Sequence, residues 1–355
     1  VFFCVFCGLF NKGGKMKAAR YYKGEKALRI EEVPKPEPGP GEVLIKVAAC
    51  GVCHTDLHYL DHGVPTFKEP PMIIGHEISG IVETLGDGVT HVNAGDHVII
   101  PAVLTCGQCA ACRRGRENIC ENMLMVGNNI DGGYAEYIAV AAKDLIPLPK
   151  HLNLENCSII ADALSTPFHA VVNRGEIKPG DVVAVFGCGG VGINVVQFAV
   201  LAGAKVIAVD ISDEKLELAK KLGAFATYNA KEPKVEKAVR KATGGCDVSF
   251  EVIGKPEVML QAMATLKTGG RFVMVGYSAE TVALSAARIM YREMDIRGSL
   301  GCRPVDYHTI VGLVDQGRVA LEPLISTRYP IDDINQAFDD LREGKPIIRN
   351  LMVTS

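Results

Sequence analysis

The run Gly187-Cys-Gly189-Gly-Val-Gly192 lies between an apolar stretch, Val182–Phe186, and a helix-patterned stretch that opens at Val191. A glycine-rich loop alone is an ordinary tight turn. A strand that feeds it and a helix that leaves it supply the context a dinucleotide site requires. Gly187 permits the turn, Gly189 lets a pyrophosphate approach the backbone, and Gly192 lets helix and strand pack closely. Free amides of the loop, those of Gly190 and Val191 included, then face the phosphates with the positive end of the helix dipole. Beyond about Thr166 the apolar runs Val182–Phe186, Val206–Val209, Val248–Val252 and Arg271–Val275 alternate with helix-patterned Val191–Ala202, Glu214–Leu222 and Glu257–Leu266. This alternation predicts a parallel sheet with helices on both faces.

Asp210 ends the next apolar run, at the spacing of a ribose ligand. A carboxylate there accepts from both adenosine ribose hydroxyls. It repels a 2′-phosphate by about 4 kcal/mol per unit charge at close range in an effective dielectric near 20. The expected cofactor is therefore NAD rather than NADP. Lys215, on the following helix, either reaches the same ribose or is solvated.

Upstream, Cys106, Cys109, Cys112 and Cys120 place four thiols within fifteen residues. Loops this short let four sulfurs converge at about 2.3 Å from one zinc ion, which fills every position and makes the site structural. With twelve cysteines in the chain, disulfides in a secreted protein are the rival explanation. The tight spacing favours the metal. Cys50, Cys157, Cys188, Cys246 and Cys302 sit in apolar or glycine-rich contexts and read as small buried hydrophobes. Cys53 and His76 offer a thiolate and an imidazole for a second, open metal site, although one Cys or His alone is more often a core or surface residue.

At 355 residues the chain has room for two cores, and its 48% hydrophobic and 22% charged fractions fit a soluble α/β protein. A net charge of −3 gives no electrostatic reason to expect nucleic acid. The apolar run Val1–Phe10 is too short to span a bilayer and has no basic leader. Met16-Lys-Ala-Ala-Arg20 looks like a natural start, so residues 1–15 are expected to lie outside the fold. No other segment is a membrane span. From Met16 to about Val140 short strands alternate with turns: Val43–Ala48, Ile78–Leu85 and His97–Pro101, with Gly132–Tyr137 returning the chain to a strand. Ile334, Ala337, Phe338 and Leu341 form one helical apolar stripe, read as core packing.

Four motifs in order are the Cys53-His54-Thr55-Asp56-Leu57-His58 stretch, Gly75-His76-Glu77, the four-cysteine lobe and the GxGxxG loop. Through them the span Met16–Ser355 resembles the zinc-dependent alcohol dehydrogenases of the medium-chain dehydrogenase/reductase superfamily. Ser249-Phe-Glu-Val-Ile-Gly254 is similar to that family as well. The resemblance implies an α/β fold of two parts. A GroES-like, β-rich catalytic domain would cover 16–165 and 300–355 and carry both zinc sites. A doubly wound Rossmann domain that binds NAD would cover 166–299. Cys53 and His76 match the first two ligands of a catalytic zinc, and Glu77 matches the acidic residue behind it. Asp56 matches a carboxylate that orients His76, Thr55 the hydroxyl that takes the substrate proton, and His58 the outer end of the relay. His54 and Arg349 match positions facing the cofactor pyrophosphate, while Thr166 packs at the nicotinamide face.

One departure stands out. The family's usual third ligand is a cysteine, and here Asp162 holds its place. Aspartate ligates zinc at about 2.0–2.2 Å and keeps the thiolate's charge, so the ion is expected to stay bound. Loss of the softer donor widens metal preference toward Co²⁺ or Fe²⁺. In the other arrangement Asp162 points away and Glu77 ligates instead.

The implied activity is hydride transfer between a primary or secondary alcohol and NAD, with two zinc ions per chain. The implied setting is a cytoplasmic homodimer or homotetramer, paired edge to edge through Arg271–Val275 and Val282–Leu284. Tyr59, Leu164 and Phe168 suggest an apolar substrate pocket. The stretch Asp162-Ala-Leu-Ser-Thr-Pro-Phe168 is also similar to that of dehydrogenases acting on alicyclic hydroxyacyl-CoA thioesters. A zinc-free NADPH-dependent enone or quinone reductase would lack the Cys53/His76 pair and the thiol lobe. A non-catalytic zinc and nucleotide binder has no use for an open metal position beside a relay hydroxyl.

Overall fold

Side chains of the strand Val182–Phe186 alternate between two faces, and both faces are covered. Val183 and Val185 join one apolar cluster with Ile193, Val196, Ala199 and Leu216, while Ala184 and Phe186 join another with Val239, Met259 and Met263. A strand covered on both sides reads as a continuous apolar run and belongs inside a parallel sheet. Six parallel strands run in the order Ala226–Asn229, Lys205–Asp210, Val182–Phe186, Cys246–Glu251, Leu266–Met274 and Asp295–Gly298. Helices Gly192–Leu201 and Asp213–Lys221 pack on one face, Val235–Thr243 and Pro256–Thr265 on the other. Strand order reverses at Val182–Phe186, which opens a crevice at its C-terminal end.

The structure is a computed structural model that describes residues 14–345 and 348–354. The expected extension therefore lies outside the described residues up to residue 13. Gly14 and Lys15 belong to the fold: the Gly14 carbonyl accepts from the Lys35 amide at 2.8 Å, and Lys15 opens the strand Lys15–Tyr21 opposite Pro34. Backbone hydrogen bonding thus starts two residues before the expected Met16.

The second large sheet is organised around Glu42–Val52, which pairs antiparallel with Glu77–Leu85, Tyr137–Ala141 and Arg349–Val353. This strand runs past the expected Ala48 because its far end receives the chain's last strand, with Asn350 opposite Val52 and Val353 opposite Ala49. That register brings Arg349 to Cys53. Glu77 lies opposite Gly51 on the other side. The helix Ile334–Arg342 buries Ile334, Ala337, Phe338 and Leu341, and Phe338 meets the Tyr134 ring edge-on at 5.7 Å. Its apolar stripe is core packing, as expected.

Two expectations are corrected. Val282–Leu284 forms no strand, and the edge of the parallel sheet beyond Leu266–Met274 is Asp295–Gly298. Leu164 and Phe168 are core residues, 0% and 6% exposed, and Tyr59 is buried with its hydroxyl taken by Asn128 at 2.8 Å. All three pack in the core. No helix among the described residues is long and apolar enough to cross a membrane.

Candidate active site

A short ribbon, Val103–Leu104 paired with Leu124–Met125, carries the thiol lobe. Its four cysteines are unbridged. Sulfur separations are 3.4 Å for Cys106–Cys120, 3.5 Å for Cys109–Cys112, 3.8 Å for Cys109–Cys120 and 4.0 Å for Cys106–Cys112. A tetrahedron of sulfurs around zinc with bonds of about 2.3 Å has edges of about 3.8 Å. The amides of Gln108 and Cys109 pull the Cys106 thiol down to about 6, while burial pushes Cys112 up to about 12. The four sulfurs are close enough together to hold one cation.

A second cluster forms where the Glu42–Val52 strand turns into the helix His54–His62. Cys53 precedes the helix and donates its amide to Asp56 Oδ2 at 3.2 Å. His76 and Glu77 lead into the adjacent strand, and Asp162 follows the helical turn Asn156–Ala161. One ligand atom from each of Cys53, His76, Glu77 and Asp162 lies within 4.8 Å of all the others. Asp56 Oδ1 stands 3.5 Å from His76 Nδ1, and Asp162 Oδ2 stands 3.7 Å from His76 Nε2. Thr166 donates its hydroxyl to Asp162 Oδ1 at 2.5 Å. Glu77 Oε1 lies 3.2 Å from Arg349 Nη2, both side chains being buried.

Electrostatics and hydrogen bonding both leave this cluster short of a cation. His76 Nε2 and both Glu77 oxygens are buried without an aligned hydrogen bond. Burial opposes charge on His76, yet Asp56 and Asp162 raise its pKa well above the usual value, and burial lifts Glu77 to about 7. A thiolate, an imidazole and carboxylates around an orphaned Nε2 fit zinc.

The glycine loop joins this cluster through Arg349. A Cβ at Gly192 would lie 1.8 Å from the Gly187 carbonyl oxygen, so the helix can approach the strand only without a side chain there. A Cβ at Gly190 would lie 2.4 Å from Arg349 Nη2. Arg349 thus spans from the loop to Glu77, and its Nη1 donates to the Val52 carbonyl at 3.1 Å. Gly187 takes a left-handed φ of 95°, and Gly189 has open space beside it. Asp210 is buried and accepts from the amides of Cys188 at 2.6 Å and Ser212 at 2.9 Å. His54 is exposed by surface area, and desolvation by its neighbours, with repulsion from Arg349 and Lys215, lowers its pKa to about 4. Thr55 Oγ1 lies 3.6 Å from Cys53 Sγ, and the His58 ring sits 5.5 Å from His62 and 5.3 Å from Tyr277.

Residues 39–150 match the alcohol dehydrogenase GroES-like domain, and residues 190–316 match the zinc-binding dehydrogenase family. An alcohol dehydrogenase of Geobacillus stearothermophilus is 36% identical over 331 residues, 93% of this chain and 97% of that one. The chain belongs to the zinc-type alcohol dehydrogenases of the medium-chain dehydrogenase/reductase superfamily. Its fold, a GroES-like domain plus a Rossmann-like parallel sheet, is the one expected from sequence. An L-threonine 3-dehydrogenase of Bacillus subtilis is 32% identical over 342 residues, 94% of this chain and 97% of that one. The cobalt- and zinc-bound thermostable alcohol dehydrogenase of Pyrobaculum aerophilum has a TM-score of 0.86 at 32% identity, over 96% of this chain and 100% of that one.

One participant in this dehydrogenase's cleft escaped the sequence reading. Tyr134 donates to Asp56 Oδ2 at 2.7 Å from a fully buried position, and only the preceding Gly132-Gly133 pair hinted at close packing there. Thr166, assigned to the nicotinamide face, spends its hydroxyl on Asp162 four residues earlier.

Proposed function

We propose that the chain is an NAD-linked, zinc-dependent alcohol dehydrogenase interconverting primary or secondary alcohols with aldehydes or ketones. One observation carries the reading. The unpartnered Nε2 of His76 faces Cys53, Asp162 and Glu77 in a cleft that Arg349 links to the Gly187–Gly192 loop. Zinc there would supply the charge that acidifies a hydroxyl, and NAD the carbon that accepts hydride.

Cys53, His76 and Asp162 are the proposed ligands. Glu77 already faces a guanidinium, whereas Asp162 turns one oxygen to Thr166 and the other to His76. Asp56 steers His76 through Nδ1 and leaves Nε2 free. Thr55, in the first turn of its helix, takes the substrate proton, and His58, one turn on, passes it to solvent. Gly187, Gly189, Gly190, Val191 and Gly192 receive the pyrophosphate with His54 and Arg349, while Asp210 and Lys215 meet the ribose. Cys106, Cys109, Cys112 and Cys120 hold a second, structural zinc. We assign catalysis to residues 16–165 and 300–355 and cofactor binding to 166–299. Free thiols suit the cytoplasm, and the exposed edge strand Asp295–Gly298 suits pairing into a homodimer or homotetramer.

Metal analysis and NAD reduction with ethanol, benzyl alcohol, cyclohexanol and a cyclic hydroxyacyl-CoA test this reading. Two zinc ions per chain are expected, one for each donor group. An Asp162→Ala variant that kept both ions and full turnover would overturn the ligand assignment. Equal use of NADP would overturn the role of Asp210.

A further inference from the structure

A cavity of about 390 Å³ opens at the C-terminal ends of the Leu266–Met274 and Asp295–Gly298 strands, with Arg116, Asn118, Arg174, Tyr277 and Ser299 among its walls. Parallel sheets bind ligands at that end of their strands. Tyr277 connects the cavity to the proposed relay, since its ring meets His58 edge-on at 5.3 Å. Two positions in the sheet separate it from Val182–Phe186, whose loop serves the cofactor phosphates. The pyrophosphate therefore lies outside this cavity, which borders the half of the sheet that would receive the nicotinamide and the substrate beside it.

Its charge is one-sided. Arg116 is exposed, and Arg174 commits only its Nε, to the Gly298 carbonyl at 2.8 Å. Among the described residues neither forms an ion pair. Neighbouring Arg297 and Arg303 are neutralised, at 2.6 Å by Glu176 and at 2.7 Å by Asp306. Glu117, next to Arg116 in sequence, acts on Arg303. Burial lowers the Arg174 pKa, repulsion from Arg116 and Arg297 adds to it, and Glu176 opposes it. Two further wall groups have no partner: the Ser299 hydroxyl and Oδ1 of Asn118, a residue 2% exposed. The Asn118 amide nitrogen is already committed to the Leu300 carbonyl at 2.9 Å and to His169 Nε2 at 3.3 Å.

We propose that this cavity is a subsite for an anionic group on the substrate, a carboxylate or a phosphate, so that the preferred substrate is an acid-bearing rather than a neutral alcohol. The inference rests on the dehydrogenase reading and names its substrate class. A guanidinium forks onto either anion with paired N–H donors. Arg116 and Arg174 supply two such forks, and Ser299 a further hydroxyl donor. Asn118 Oδ1 remains to accept from a hydrogen-bearing atom of the same molecule.

The test uses the full-length, zinc-loaded enzyme with NAD. It compares kcat/KM for a hydroxycarboxylate, a hydroxyalkyl phosphate and a neutral alcohol of equal carbon count. At least one anion should be preferred over the neutral alcohol by roughly tenfold or more, and the preference should weaken as salt rises. The better anion identifies the group. In an Arg116→Gln, Arg174→Gln double variant the anion-to-neutral ratio should fall roughly tenfold to a hundredfold, mainly through KM. Arg116→Gln alone, at an exposed position, keeps the test open if the Arg174 change disturbs folding. Neutral alcohols oxidised as well as anions, or a ratio unmoved by the variants, would overturn the subsite and leave the dehydrogenase standing. Failure to oxidise any alcohol would overturn both.

Discussion

Tyr134 shows how one hydroxyl can govern a metal cleft from behind. It donates to Asp56 Oδ2 at 2.7 Å, and Asp56 in turn stands 3.5 Å from the His76 ring and accepts from the Cys53 amide at 3.2 Å. Tyr134→Phe keeps the ring against Phe338 and removes only the donor, leaving a buried carboxylate short of one partner. The expected cost is about 1–3 kcal/mol of stability, read from the urea midpoint. A roughly ten- to hundredfold loss of metal affinity in the cleft should accompany it. Unchanged values for both would mean that the backbone alone holds Asp56. Residues at this scale were legible in proportion to how far chemistry restricts their type. Cys53, His76 and the four thiols stood out because few side chains ligate zinc, and the structure brings each set together. Tyr134 was not, because its partner lies 78 residues away and any buried aromatic fits the same pattern.

Elements were legible where burial forced a period and obscure where it did not. Val182–Phe186 is covered on both faces and stood out, whereas the edge strands Ala226–Asn229 and Asp295–Gly298 are half-buried or exposed and carry no apolar run. The π-helical segment His169–Gly175 was equally invisible, yet its first residue has a measurable consequence. His169 is 4% exposed and held between Asn118 and Asn173, whose amide groups lie 3.3 and 3.2 Å from its two ring nitrogens. Burial lowers its pKa to about 4; Arg303, Arg174 and Arg116 add to this and Asp306 opposes it. The unfolded chain takes up a proton at about pH 6.5, while the folded chain takes it up only near the lowered value. Stability from this group is therefore fully present above about pH 6.5 and is lost as pH falls toward 4, by at most about 3 kcal/mol. A His169→Gln variant should lack that loss, so its urea midpoints approach those of the unmodified protein as pH drops through the window. Parallel curves would show that the imidazole does not titrate as its surroundings imply.

At the scale of the whole molecule, the strand Arg349–Val353 closes onto Glu42–Val52, and one arginine at that seam touches both the Cys53–His76–Glu77 cluster and the glycine loop. The parallel sheet could be read from sequence because alternating strands and helices leave few topologies. The seam could not, since nothing local tells Arg349 that it will lie beside Val52. The thiol lobe stands apart from this coupling, with its sulfurs bound only to one another and to nearby amides. The two metal groups should accordingly separate in function. Cys112 is buried within the lobe, and Cys112→Ser leaves three thiolates. That variant should lose one zinc ion per chain. Its stability should fall by about 4 kcal/mol if free zinc stands a thousandfold above its dissociation constant. The cleft donors are untouched, so the remaining ion and NAD-dependent turnover of the folded fraction should persist. Asp162→Ala should instead lose the cleft ion and turnover, together with the share of stability that ion supplies by the same linkage. Were Cys112→Ser to abolish turnover while the thermal midpoint stayed fixed, the lobe would belong to the chemistry, and its closed set of sulfurs would need another explanation.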